Sequence, residues 1–311
     1  MLQTFILTLL LGLNVPVQSD NLILLNKGIP LTHLTREKLS LIPEPGAAFP
    51  DTARLEELVD DLDERVAQAP ADAYIGQNGS IMPEKLGQKL DKKELSVQLI
   101  QYFFEGKPRI LEVPVQPVYP RVDSEMLDSI NTMLIGRYTT YFNSGNRERA
   151  NNIALATESL NNKVIFPGET FSFNKIVGKR TTERGYLKAP IIVRGELSEG
   201  IGGGICQVSS TLFNAADNAG LKIIQRYSHT KAVTYVPPGR DATVSWYGPD
   251  FVFKNMYSQP ILIRARSLGS QLSVSLYSAE YINFKPKSIP GAPAILPKEI
   301  MFDKTKKQPE N

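Results

Sequence analysis

The chain has 311 residues, of which 42% are hydrophobic and 22% are charged, and its formal net charge is +3. These fractions are typical of soluble globular proteins, and the length is sufficient for two domains with sizeable cores. The weak positive charge, without an aromatic-studded basic stripe or zinc-finger spacing, argues against nucleic acid as a partner. It is compatible with a location beside an anionic cell wall.

Residues 1–19 have the pattern of a signal peptide or a membrane anchor. The apolar run over residues 5–13 has the length of a signal-peptide core and is short for a transmembrane helix. Residues 17–19 offer a cleavage site before Asp20. No Lys or Arg precedes the apolar run, so an uncleaved anchor is the alternative. Both interpretations predict an extracytoplasmic protein, secreted or held at the membrane.

The next part of the chain predicts an irregular segment followed by a small α+β module. Residues 20–50 are predicted to be irregular, because Pro and Gly cluster over residues 42–46. The module covers residues 51–120. Its predicted elements are an amphipathic helix that Asp51-Thr52 precede and Pro70 stops, a hairpin around Asn78-Gly79, a helix over residues 91–104 that ends at Gly106, and an edge strand over residues 111–115.

Residues 129–279 predict a larger, strand-rich α+β domain, which a connection over residues 117–128 precedes. Helices are predicted over residues 147–160 and 207–219. Residues 280–311, rich in Pro and Lys, predict a weakly ordered tail. The predicted strands cover residues 135–142, 171–173, 221–227, 232–236, 242–246, 251–253, 261–265 and 272–277.

Cys206 is the only cysteine and stands between a glycine run, residues 202–204, and a predicted helix. Backbone N–H groups and the helix dipole at such a position favour the thiolate and lower its pKa. One cysteine in an exported chain cannot form an internal disulfide. The residue is therefore either a reactive nucleophile or an inert thiol beside glycines that serve only a tight turn.

His229 and Asp241 are the residues that could assist this thiol. His33, the only other histidine, is interpreted as a surface residue. His229 follows the predicted strand after the cysteine helix, and Asp241 lies at the head of the strand predicted over residues 242–246. A nucleophile, a base and an acidic group in that order suit covalent catalysis. The alternatives are a structural hydrogen bond for His229 and a turn or ion pair for Asp241.

Other kinds of site find little support in the sequence. Ser209, Ser210 and Thr211 have no second histidine to serve them and lie inside the predicted helix. Two distant histidines and one cysteine form no ligand set for a metal. The glycine run lacks the Gly-Lys-Ser/Thr ending of a phosphate loop. We therefore expect neither a metal nor a cofactor.

Several motifs in order resemble the VanW domain, named for an accessory protein of vancomycin-resistance clusters. The resemblance covers about residues 135–277. Residues 51–120 are similar to a peptidoglycan-binding module that often precedes VanW domains. The motifs are FPGETFSFN at residues 166–174, GGGICQVSSTL at 202–212, YVP at 235–237, GRDAT at 239–243 and FKN at 253–255.

The resemblance implies work on the bacterial cell wall, most simply as an L,D-transpeptidase that forms 3–3 cross-links. Peptidoglycan stem peptides would then be the partners, with Cys206 as nucleophile, His229 as base and Asp241 orienting the imidazole. Backbone N–H groups near Gly204, Cys206 and Gln207 would stabilise the oxyanion. The stem carboxylates are assigned to arginine, in the order Arg226, Arg240 or Arg184.

Two other functions stay open at this point. A papain-like peptidoglycan amidase or endopeptidase would use the same Cys206 and His229, with water in place of an amine acceptor. A non-catalytic peptidoglycan-binding protein would keep Cys206 as a buried structural thiol. The oligomeric state cannot be predicted from the sequence.

Overall fold

The computed structural model describes residues 21–42, 49–193 and 196–294. The predicted signal or anchor segment and the end of the predicted tail lie outside these residues. The fold is α+β, as predicted. It has two compact units: one contains the described residues up to Ala73 together with Pro83–Arg121, and the other contains Tyr74–Met82 and the described residues from Val122 onward.

The N-terminal unit combines two helices with short strands. Both helices begin where the capping residues predict, since the side chains of Asp51 and Asp91 accept hydrogen bonds from the backbone N–H three residues later. Strand β1 pairs antiparallel with β2 and parallel with β6, and β5 pairs with β7. The elements are β1 (Leu22–Asn26), β2 (Ile29–Leu34), α1 (Thr52–Val66), β5 (Gly87–Leu90), α2 (Lys92–Glu105), β6 (Arg109–Glu112) and β7 (Val115–Val118).

The prediction of irregular structure for residues 20–50 was wrong over its first half. Leu22 and Leu24 are fully buried in the core that α1 and α2 line. Their strand is completed by β6, more than 80 residues later, which no local pattern indicates. The single edge strand predicted at residues 111–115 is in fact two strands, with Pro114 between them.

The C-terminal unit has a four-stranded antiparallel sheet in the order β8-β16-β15-β9. Helix α6 packs on β8 so closely that a Cβ on Gly136 would lie 2.5 Å from the Ala215 carbonyl oxygen. The elements of this unit are β3 (Tyr74–Ile75), β4 (Ile81–Met82), α3 (Ser124–Ile130), β8 (Met133–Tyr141), α4 (Arg147–Leu160), β9 (Lys163–Ile165), β10 (Thr170–Ser172), α5 (Phe173–Val177), β11 (Lys188–Val193), β12 (Glu196–Ile201), α6 (Ile205–Asn218), β13 (Lys222–Gln225), β14 (Val252–Lys254), β15 (Ile261–Leu268) and β16 (Gln271–Ser278).

The structure has no strands over residues 232–236 and 242–246, where the sequence predicted two, and the chain there is irregular. Its polar backbone groups find partners outside a sheet. The Ala242 N–H donates to Ser210 Oγ at 2.8 Å, and the Thr243 N–H donates to the Tyr227 carbonyl at 2.8 Å. The segment between β13 and β14 is thus held by helix α6 rather than by a strand ladder.

The tail prediction was wrong for residues 280–294. Ile282 is buried, and Phe284 and Ile289 pack against the core of the C-terminal unit. The Lys287 N–H donates to the Asn218 carbonyl at 2.9 Å, and Tyr138 donates to the Pro290 carbonyl at 3.0 Å. Proline prevents regular structure here, but the apolar residues between the prolines still bury their side chains.

The connection predicted over residues 117–128 contains the start of α3, which Asp123 caps. No helix within the described parts of the chain is both long enough and apolar enough to cross a membrane.

Candidate functional site

The glycine run places Cys206 in the first turn of α6. Gly202 and Gly204 have φ of +88° and +104°, which side chains other than glycine rarely adopt. Gly203 has no such φ, but a Cβ there would lie 2.6 Å from the Pro190 carbonyl oxygen. The run is therefore a tight turn against β11, and it delivers the cysteine to a helix N-terminus as predicted.

We expect Gly203→Ala to lower the free energy of unfolding by about 1–3 kcal/mol, because the new Cβ would overlap backbone atoms that cannot rotate away. Chemical denaturation measures the change. Gly248→Ala is the matched control, since its Cβ would meet its nearest neighbour, Ser245 Cβ, at an ordinary 3.5 Å. Equal stability of the two variants would contradict the steric explanation.

The Cys206 sulfur lies against the irregular segment between β13 and β14. Cys206 is partly buried. Its Sγ is 3.7 Å from Thr243 Oγ1 and 3.6 Å from the Val244 carbonyl oxygen. The residue is therefore neither fully exposed nor walled off among aliphatic side chains alone.

His229 and Asp241 come together in this segment. The imidazole Nδ1 is 2.7 Å from Asp241 Oδ2, and the same oxygen accepts the His229 backbone N–H at 2.6 Å. The two side chains are 7% and 9% exposed. An ionised carboxylate only accepts hydrogen bonds, so Nδ1 carries a proton and Nε2 is left for another partner.

The charges of the three residues are coupled. Burial raises the pKa of Cys206, but hydrogen bonding and attraction by His229 outweigh burial, so this pKa lies below its ordinary value. Burial lowers the pKa of His229, yet Cys206 and Asp241 outweigh it and the pKa is raised. Burial likewise raises the pKa of Asp241, which hydrogen bonds from His229 bring below its ordinary range. The arrangement favours a thiolate beside an imidazolium.

Two serines of α6 hold the segment that carries Asp241. Ser209 Oγ donates to the Ala242 carbonyl, and Ser210 Oγ accepts the Ala242 N–H. Ser210 Oγ also lies 2.7 Å from the Cys206 carbonyl oxygen, one turn back along the helix. These hydroxyls, predicted not to be nucleophiles, link the helix of the cysteine to the segment of its partners.

The side chain of Gln207 is occupied by structural contacts. It is fully buried, donates to Thr140 Oγ1 and the Tyr141 carbonyl, and accepts from Arg149. Its backbone N–H already donates to the Gly204 carbonyl at 3.0 Å. The prediction that Gln207 contacts the substrate or oxyanion is therefore wrong for this geometry. The Cys206 N–H, in the first helical turn, remains the candidate.

The arginines assigned to substrate carboxylates have other partners. Arg226 donates to the Asp241 carbonyl at 2.7 Å and lies over the Phe213 ring. Arg240 binds Asn214 and Asp217, at least eight residues and about 12 Å further along α6 than Cys206.

Arg184 donates to the Lys179 carbonyl at 2.7 Å. All three guanidinium groups hold loops in this structure, and their assignment to substrate carboxylates stays a prediction.

Two groups beside the site were not singled out from the sequence. Tyr235 packs against the core, and burial raises its pKa, with Cys206 and Arg149 among the charges that act on it. Arg180 lies after α5, and Cys206 is likewise among the charges that act on it. Tyr235 belongs to the YVP motif at residues 235–237, but no pattern gave either residue a role in the site. Only the folded chain brings these loops to the cysteine.

Comparison with known proteins relates the chain to one family. The model described as "VanW like protein" matches residues 148–277, which include Cys206, His229 and Asp241. The uncharacterized protein YoaR of Bacillus subtilis is 49% identical over 300 residues, covering 96% of this chain and 99% of YoaR. The vancomycin B-type resistance protein VanW of Enterococcus faecalis is 37% identical over 99 residues, covering 30% of this chain and 36% of that protein. No solved structure matches the chain.

Proposed function

The chain belongs to the VanW-domain family, and from this premise we propose that it is a cysteine-dependent L,D-transpeptidase of the bacterial cell wall. The observation that carries the proposal is a buried Asp241–His229 pair whose imidazole lowers the pKa of a thiol at a helix N-terminus. A thiol with a lowered pKa, a base and a group that orients the base are the parts of covalent acyl transfer.

In the first step, the Cys206 thiolate attacks the diaminopimelate carbonyl of a donor tetrapeptide stem. The sulfur–carbon bond forms, and the amide carbon–nitrogen bond breaks. The His229 imidazolium gives its proton to the leaving D-alanine amine, while Asp241 keeps Nδ1 protonated and the ring in place. The Cys206 N–H is the donor we assign to the oxyanion, a contribution that elsewhere is worth about two to three orders of magnitude in rate.

In the second step, the side-chain amine of another stem attacks the thioester. The new amide bond forms as the carbon–sulfur bond breaks, and His229 takes the proton of the amine. The free enzyme is thereby restored, with thiolate and imidazolium as at the start. Water in place of the amine would give hydrolysis instead of a cross-link.

The cell-wall assignment is supported by the family and by one relative that is named for vancomycin resistance. An extracytoplasmic location, with residues 1–19 as signal or anchor, belongs to the same proposal. So does a peptidoglycan-binding role for the N-terminal unit.

The experiment that tests the function incubates the purified chain with disaccharide-tetrapeptides and analyses the products by mass spectrometry. Cross-linked dimers together with free D-alanine are expected. Free D-alanine without dimers would replace transpeptidation by hydrolysis. Binding without any product would leave only the non-catalytic function.

A further inference from the structure

The two terminal nitrogens of the Arg180 guanidinium, Nη1 and Nη2, are buried and have no hydrogen-bond partner among the described residues. The guanidinium carbon lies 5.6 Å from the ring centroid of Phe173, so an aromatic face covers one side of the group. An isolated cation in such a place is costly unless a negative charge compensates it.

Two sets of contacts place Arg180 beside the nucleophile. A Cβ on Gly202 would lie 3.2 Å from Arg180 Cβ and 3.5 Å from Ile205 Cγ1, so the arginine packs on the turn that leads into Cys206.

The second set of contacts comes from α5. Asn174, next to Phe173, donates to the Ser245 carbonyl at 2.9 Å. The residue before Ser245 is Val244, whose carbonyl oxygen is 3.6 Å from the Cys206 sulfur. Arg180 is thus held by the same two stretches of chain that enclose the thiol.

Among the ionisable groups around Arg180 and Cys206, the thiolate is a stronger counter-charge to Arg180 than the Asp250 carboxylate. The charges that act on Arg180 are those of Cys206, Asp250, Tyr186 and Arg184. Cys206 interacts with the charges of Tyr235 and of His229, which is hydrogen-bonded to Asp241. Burial raises the pKa of both tyrosines, so they are neutral.

The remaining neighbours of Arg180 compensate its charge only in part, because the Asp250 carboxylate raises its pKa less than Cys206 does. Asp250 already accepts hydrogen bonds from Ser172 and from the backbone N–H groups of Asn174 and Phe251. Arg184 has the same charge as Arg180 and increases the need for an anion.

We propose that Arg180 is a positioning residue whose buried positive charge stabilises the Cys206 thiolate, in addition to His229. The inference rests on the proposed function only in taking Cys206 as a reactive thiol. Its chemical use lies in the second half of the reaction. His229 enters this half neutral and regains its charge only by taking the proton of the amine, whereas Arg180 is charged throughout and stabilises the thiolate as it departs from the thioester.

The test is the pH dependence of alkylation of the full-length chain by iodoacetamide, followed by intact-protein mass spectrometry. Arg180→Met is expected to raise the apparent pKa of the thiol by about one unit. At a pH below both values its alkylation rate then falls about tenfold. Arg180→Lys, which keeps the charge, should restore most of the wild-type rate.

Arg264→Met is the matched control, because Arg264 is also partly buried but donates to the Ile75 carbonyl on β3 and to Asn162 Oδ1 in the turn before β9. It should leave the alkylation curve unchanged. Arg180→Gln serves as a second neutral variant if Arg180→Met does not fold, as judged by circular dichroism. A folded neutral variant with the wild-type curve, or a Lys variant as slow as the neutral one, would overturn the inference. Because alkylation needs no peptidoglycan, a failure of the transpeptidase proposal would not affect this result.

Discussion

Cys206→Ala is expected to abolish turnover of a tetrapeptide donor, with a loss of about 10⁴-fold or more in the rate of D-alanine release. The reason is that the proposed route forms a thioester, and alanine has no atom that could accept the acyl group. Intact-protein mass spectrometry should detect a tripeptide-stem adduct on the wild-type chain and none on the variant. Cys206→Ser, which keeps the shape of the side chain, should be nearly as inactive, because a hydroxyl is far harder to ionise than a thiol.

Ser144→Ala provides the control for this experiment, since it removes an exposed hydroxyl whose only described partner is Ser270. It should keep the wild-type rate. Thermal unfolding of each variant separates loss of chemistry from loss of structure. D-Alanine release by folded Cys206→Ala at the wild-type rate would eliminate both the transpeptidase and the hydrolase mechanisms.

His229→Gln is expected to lower turnover at neutral pH by about 10²–10⁴-fold, the usual contribution of general acid–base catalysis. The wild-type pair is active as thiolate and imidazolium. Activity therefore rises as pH passes the lowered pKa of Cys206 and falls as pH passes the raised pKa of His229. In the variant the charge that lowers the thiol pKa is absent, so the rising limb moves to higher pH. Rates of D-alanine release across a pH series measure both limbs.

His33→Gln is the matched control, because His33 is exposed on strand β2 of the N-terminal unit. Its pH profile should coincide with that of the wild-type chain. A wild-type profile for His229→Gln would show that the Cys206 thiol is ionised by some other group, and the role given to Asp241 would fail with it.

The arrangement of the site also explains why glycine, serine and asparagine are frequent around the cysteine. The glycine turn packs against β11, and the serines of α6 tie down the segment of Asp241. Asn152 extends this frame, since its amide donates to the Leu187 and Gly203 carbonyls. Much of the motif is therefore a scaffold that sets the position of one sulfur and one imidazole.

Local signals predicted many elements of the fold well. Asp51, Asp91 and Asn146 cap helices that begin within one residue of the predicted positions, because capping depends on atoms only three residues apart. The left-handed Gly106 ends α2 for a similar reason. The helix N-terminus at Cys206 has no side-chain cap, and it was predictable from the glycine run and the apolar periodicity that follows it.

Contacts distant in sequence could not be predicted in this way. Strand β1 depends on β6, and residues 280–294 are ordered by contacts to α6 and the core, so both were misread as irregular or loose. Conversely, the apolar alternation near residues 242–246 suggested a strand where side chains of α6 supply the hydrogen bonds instead.

The sequence by itself determined the candidate thiol, its glycine turn and helix, and the two residues able to assist it, since these follow from residue type and near spacing. Only the tertiary structure decided which side chains surround the sulfur. It showed that Gln207, Arg226 and Arg240 make framework contacts and that Arg180 packs on the glycine turn before the cysteine. The reason is that the position of one charge relative to another depends on packing between segments that are far apart in the chain.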